Sequence, residues 1–302
     1  MYDIKKNFDR IKAFAKNILS TELPESENLL RQGPKPKFTD LDVITLALTG
    51  ECLEINSENR LFKAINSDYP NSFPCILSRR QFNDRRKALI KLVDKVRVLL
   101  LRELDDGKNM FIVDATPIRI CKLSRAKRCK FRAKANEIRP DAGYCATQKE
   151  NYFGYKGNAI CNTNGVVQVF ELSPASVHDV NFLDNIGIVL QDCTLIGDKG
   201  YVSQTRKELF LKESNIDIQA EPRKNQKNKL PFKFKRIRKR IETLFSQLND
   251  QFCLQKNFAK THRGLWTRIT TKLSACTLLQ YFNKINNKPI GELKYALSKF
   301  NM

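Results

Sequence analysis

Apolar positions in the first hundred residues recur at helical spacing. Val43, Ile44, Leu46 and Leu48 follow Thr39, with Asp42 three residues on, which reads as a capped helix start with an acidic first turn. Gly33-Pro34-Lys35-Pro36 breaks the chain just before it. Ser78 opens a longer pattern in which Phe82, Leu89, Val93, Val96 and Leu100 share one helical face. Near residue 107 the period changes. Met110-Phe111-Ile112-Val113 is a short unbroken apolar run, as in a buried strand. Residues 155–161 and 166–172 are two strand-like runs, joined by Asn162-Thr163-Asn164-Gly165, the Asn-Gly signal of a hairpin. Residues 181–190 read as helix, 193–197 as strand, 203–214 as helix capped by Ser203, 216–220 as strand and 234–252 as a long helix. That order predicts an α/β fold, a mixed sheet flanked by helices, after a helical N-terminal region. A last apolar helix opens at Trp266, expected in the core.

Composition narrows the function classes. The 302 residues carry 54 Lys+Arg against 32 Asp+Glu, a net charge of +22, and are 41% hydrophobic. The chain can bury a core, which excludes a disordered basic tail. No run approaches the ~18 apolar residues of a membrane span. Residues 1–20 lack the apolar block of a signal peptide, and the nine scattered cysteines fit free thiols in a reducing cytoplasm. Cys121, Cys129 and Cys145 lack a fourth zinc ligand, and two histidines, His178 and His262, leave little material for imidazole chemistry. Such a charge points to a polyanion, nucleic acid first. Between Arg119 and Arg139 there are nine basic residues and one acid, Glu137; between Arg223 and Arg240 there are ten and none. Aromatics are sparse there, so contact with backbone phosphates is expected rather than base stacking. Arg79, Arg80, Arg85, Arg86 and Lys87 decorate a further helix start, either as a solvated face or resting on phosphates.

Within this positive chain the informative residues are acids. Asp114 follows the strand-like run 110–113, and Asp198 follows 194–197, so each is expected at the C-terminal edge of a strand, where α/β sheets build sites. Glu242 is the only acid between Pro222 and Asn249, one step round the helix from Ile241. It is expected to border the buried face and point toward the two aspartates. Three carboxylates suit a pair of Mg²⁺ ions. The alternatives are turn aspartates and a Glu242–Arg238 pair at i−4. Asp179, beside His178, reads first as an acid at a helix start, with support of the metal ligands as the other role open to both residues.

The strings Phe111-Ile-Val-Asp-Ala-Thr-Pro-Ile118, Leu172-Ser-Pro-Ala-Ser-Val-His-Asp179, Ile196-Gly-Asp-Lys-Gly-Tyr201 and Arg240-Ile-Glu-Thr-Leu-Phe245 resemble the signatures of bacterial insertion-sequence DDE transposases. The likeness runs from about Phe111 to Tyr281. It implies an RNase H-like fold in which Asp114, Asp198 and Glu242 are catalytic and hold two Mg²⁺, with Mn²⁺ able to substitute. The implied chemistry is nicking at the ends of a mobile element, then attack of the freed strand-end hydroxyl on target DNA. In the wider Tyr-Arg-Glu-Lys pattern of some members, Arg238 stands at the Arg, Lys235 replaces the Tyr and Asn249 the Lys, which points to a sister subgroup. The resemblance and the basic segments together give a helical region over 1–105 for DNA-end binding, a catalytic domain over 106–285 with a basic insertion at about 119–150, and a tail over 286–302. Double-stranded DNA is the expected partner, contacted by Arg119, Lys122, Arg125, Lys127, Arg128, Lys199, Arg223, Lys224, Lys235, Arg236, Arg238 and Lys239. A homo-oligomer on DNA, no membrane, and a cytoplasmic, nucleoid-associated bacterial location follow. The competing classes are a non-catalytic nucleic-acid-binding protein and a structure-specific nuclease of the same fold.

Overall fold

Helix starts form where short-range chemistry asks for them. In this computed structural model, which describes residues 3–146, 148–201, 203–220 and 230–297, Asp3 caps α1 (Ile4–Ile18). Thr39 and Asp42 form the reciprocal capping box of α2 (Asp40–Cys52), and Ser57 caps α3 (Glu58–Asp68). Ser78 and Gln81 box the start of α4 (Arg79–Ala88). The long pattern after Ser78 is two helices, because Leu89 leaves helical geometry at φ −91°, ψ 6° before α5 (Ile90–Glu103). Of the basic residues on α4, Arg85 is bonded to Asp40 and Arg86 to Glu58, at 2.6 and 2.8 Å, while Arg79 and Arg80 are exposed.

Two units form. One comprises 1–104, 250–254 and 263–302, the other 105–249 and 255–262. The second holds a six-stranded sheet: β1 (Met110–Lys122), β2 (Asp141–Cys145), β3 (Glu150–Asn162), β4 (Val167–Pro174), β5 (Cys193–Gly197) and β6 (Ile216–Ala220), ordered β2-β3-β1-β5-β6 with β4 also on β3. β1, β3 and β4 are antiparallel; β5 and β6 run parallel to β1. This is the expected mixed, RNase H-like sheet. The hairpin turns where expected, with Asn162 Oδ1 accepting from Val166 N at 2.9 Å and Gly165 at φ +78°. On one face Val113, Leu195, Ile216 and Ile218 pack with a 3-10 helix (Asp179–Ile188) and α6 (Gln204–Ser214). On the other, Ile196 packs against Leu230 and against Phe234 of α7 (Phe232–Asp250).

The last helix, α8 (His262–Ile285), belongs from Arg263 onward to the first unit rather than to a domain spanning 106–285. Its residues 269–280 are buried without a break, so it runs through the core of that unit, while Trp266 near its start is only partly buried. Lys272 reaches Glu51 at 2.7 Å, and Ser274 Oγ donates to the Val93 carbonyl. No described helix is long and apolar enough to cross a membrane, and all nine cysteines are free.

Candidate active site

The pairing of β1 with β5 fixes the two aspartates. The last parallel partners are Ile112 and Ile196, and each chain places an aspartate two residues further on. Side chains alternate along a strand, so Asp114 follows Ile112 onto the face that packs against α7. Asp198 follows Ile196 at the same level, one step past the end of β5. Asp114 does not end its strand. β1 runs on to Lys122 along β3, with Asp114 opposite Ala159. The carboxylate therefore projects from a paired strand, which fixes it more firmly than a turn. Asp198 sits in a turn of its own making, its Oδ1 accepting from Gly200 N at 2.7 Å.

Another aspartate, Asp179, lies beside Asp198. A Cβ built on Gly200 would lie 2.9 Å from Asp198 Oδ1 and 3.4 Å from Asp179 Oδ2, so the two carboxylates flank one small space. Asp179 is held there by Lys156, whose Nζ donates to Asp179 Oδ1 at 2.7 Å and to the Val177 carbonyl at 2.8 Å. Tyr201 is 1% exposed, and its hydroxyl has no hydrogen-bond partner among the described residues. Burial, then the charges of Asp114, Asp179 and Asp198, hold that phenol well above its usual range.

Burial pushes the Asp114 carboxyl up to about 7, and the negative charges of Asp198 and Asp179 push the same way. The Ala115 N–H, donating to Oδ1 at 2.8 Å, and the Arg238 guanidinium oppose the rise. Arg238 also bonds Glu242 at 2.9 Å, one turn along α7. Glu242 thus approaches the aspartates through an intervening cation, and its side chain is 50% exposed. It is exposed and ion-paired rather than at the border of the buried face where it was expected. Ile241, Leu244, Phe245 and Leu248 take the buried face of α7, and Glu242 falls outside that stripe. Among the described residues, no three acidic, histidine or cysteine side chains converge as a metal cluster.

The expected DNA contacts divide. Lys122, Arg125, Lys127 and Arg128 are exposed at the end of β1 and on the 3-10 turn Leu123–Arg128; Lys199, Lys235, Arg236 and Lys239 are exposed as well. Arg119 is engaged with Glu150 at 3.0 Å and stacks over Tyr152, and Arg238 is the ion-pair partner just described. Arg223 and Lys224 lie outside the described residues. His178 is exposed and makes no side-chain cap. Lys156, which takes no part in the sequence pattern above, carries one signal: it is the single cation of β3.

A family model described as a transposase DDE domain matches residues 105–278. No curated protein and no solved structure matches the chain. The matched span is more than half of the chain, begins where the second unit begins, and contains Asp114, Asp198 and Glu242 in order. The chain belongs to the transposase DDE domain family.

Proposed function

We propose that this chain is a metal-dependent DNA transposase that nicks the ends of its own mobile element and joins them to target DNA. The observation that carries the reading is the level placement of Asp114 on β1 and Asp198 just past the end of the neighbouring parallel strand β5, with burial first and then the Asp198 charge lifting the Asp114 carboxyl to about 7. All-oxygen donors fit a hard divalent cation such as Mg²⁺. Asp114 and Asp198 would hold it, with Glu242 as the third ligand once it leaves Arg238. Asp179, bonded to Lys156, sits beside them. Bound metal supplies activation of a hydroxyl nucleophile and stabilisation of the leaving oxygen.

The chain's own residues do the rest. Lys199 stands next to Asp198, and Lys235, Arg236 and Lys239 stand exposed on the helix that bears Glu242, so phosphates are drawn to the carboxylates. Incoming phosphate competes with Glu242 for Arg238, which frees the carboxylate as DNA arrives. Joining two ends is the ground for a homo-oligomer on DNA, and a DNA substrate is the ground for a cytoplasmic, nucleoid-associated protein.

The test is a supercoiled plasmid bearing the element with its genomic flanks, incubated with Mg²⁺ or Mn²⁺. Asp114→Asn, Asp198→Asn and Glu242→Gln should each lose cleavage and joining while still shifting DNA in a gel. Variants that cut like the parent would refute the assignment. The Arg238–Glu242 pair is the observation favouring a second reading, a DNA-binding protein without catalysis. Binding by the parent with no cleavage in either metal would select it, and hydrolysis without joined products would mark a nuclease.

A further inference from the structure

The second unit contains a cavity of about 750 Å³ lined by none of the carboxylates discussed above. One wall is the end of β1 and the basic turn after it, bringing Arg125, Arg128 and Lys130; the other is the segment carrying Phe258 and Lys260. Backbone hydrogen bonds clip the walls together, Arg132 N to the Lys260 carbonyl and His262 N to the Arg132 carbonyl, each at 2.9 Å. The clip is backed by rings: Tyr155 is edge-on to both Phe131 and His262, at 6.1 and 5.8 Å. The cavity is therefore built by paired backbone rather than by loose side chains.

Its lining is chemically one-sided. Four cations face it, no carboxylate lines it, and none of the four forms an ion pair among the described residues. Phe258 lines the same space and is 75% exposed. Like charges gathered without counterions favour an anion, and a bare aromatic face favours a flat apolar partner. One ligand class carries both groups, a nucleotide, and the volume is within the ~300–1,000 Å³ usual for small-molecule sites. A base inside a duplex has both faces covered by its neighbours, so Phe258 can stack only on an unpaired one.

We propose that this cavity binds a single unpaired nucleotide, its phosphate held by Arg125, Arg128, Lys130 and Lys260 and its base stacked on Phe258. The ligand is either a nucleotide within a single strand or a free one. Arg125 and Arg128 thereby take a narrower part than general duplex contact. Binding here needs no divalent metal and involves none of the carboxylates of the candidate active site.

The experiment uses the full chain in excess chelator. Binding of a short fluorescein-labelled oligothymidylate, a blunt duplex and thymidine monophosphate is measured for the parent, Phe258→Ala and Phe258→Trp. Loss of one stacked base should weaken oligothymidylate binding on the order of 5- to 100-fold in Phe258→Ala. Duplex binding should stay unchanged, and Phe258→Trp should restore the parent affinity. Competition by thymidine monophosphate, lost in Phe258→Ala, identifies a free-nucleotide site; its absence with the strand effect intact identifies the strand. Phe258→Ala that leaves both ligands unaffected overturns the proposal, and so does an equal fall for oligothymidylate and duplex.

Discussion

Asp114 is held against its own charge, and that has a measurable consequence. Its carboxyl moves from an ordinary 3.8 to about 7 on folding. Between those values the folded chain binds more protons than the unfolded one, so stability falls as pH rises from about 4 and levels off above about 7. Asp40 and Glu27 carry the opposite sign: ion pairs hold their carboxyls low, and their contribution is lost only at more acid pH. Urea unfolding at about pH 5 and about pH 8 should show the parent losing stability toward the higher value. Asp114→Asn should remove most of that slope and be more stable by roughly 2–4 kcal/mol on the alkaline side. Arg238→Gln should extend the slope to higher pH, because the guanidinium is what opposes the rise. A parent profile that is flat over this window would mean that Asp114 is not buried as described. Divalent metal should stabilise the parent and not Asp114→Asn. The same residue shows what was legible. That Asp114 and Asp198 would stand together followed from two apolar runs each ending near an aspartate. The Glu242–Arg238 pair was legible as an i−4 alternative, but which of the two readings holds was not, because periodicity locates a helix face only to within about a residue's turn. Asp179 and Lys156 lie 23 residues apart in sequence, and no local pattern announces that contact.

At the scale of elements, legible features were those written in adjacent residues: the capping boxes at Thr39 and Ser78 and the Asn-Gly hairpin. The length of β1 was hidden. Pro117, Arg119 and Lys122 read as the end of a strand, yet the strand passes through them. Pairing with β5 ends at Ile112, so beyond it β1 is paired only with β3 and can accept a proline and charges on its open side. A bulge between Arg119 and Cys121 bends this part, with Gly154 opposite Arg119. A Cβ on Gly154 would run into the Ile118 carbonyl oxygen, which is backbone and has nowhere to go. Gly154→Ala should therefore destabilise the second unit by at least about 2 kcal/mol. Gly33→Ala, where a Cβ meets nothing but the backbone sits at φ +93°, should cost only about 1 kcal/mol from conformation alone. Thermal unfolding of the two variants would compare them. A Gly154→Ala protein as stable as Gly33→Ala would show that the bulge yields.

The whole molecule hides its organisation in chain order. A domain boundary near residue 105 is visible as a change of period, and the second unit does begin there. The return of the chain to the first unit is not visible, because a helix buried on every side has no polar stripe to reveal which partners it meets. α8 crosses that core with Thr271, Lys272 and Ser274 buried among its apolar residues, each costly to bury without a partner. Thr271 returns its hydroxyl to the Thr267 carbonyl, Ser274 to Val93, and Lys272 to Glu51, whose side chain is 6% exposed. Arg268 donates to the Asn56 carbonyl at 2.6 Å. Residues 1–104 by themselves would keep five helices but leave Glu51 buried beside an empty groove. Removing one partner of a buried pair costs about 3–5 kcal/mol, before the lost apolar contacts of α8 are counted. A fragment of 1–104 should therefore show helical far-ultraviolet dichroism without a cooperative thermal transition, and should bind a hydrophobic dye. Adding residues 263–297 as a separate peptide should restore cooperativity, and the peptide with Lys272→Ala should do so far less well. Cooperative melting of 1–104 alone would mean that α8 decorates this unit rather than completing it.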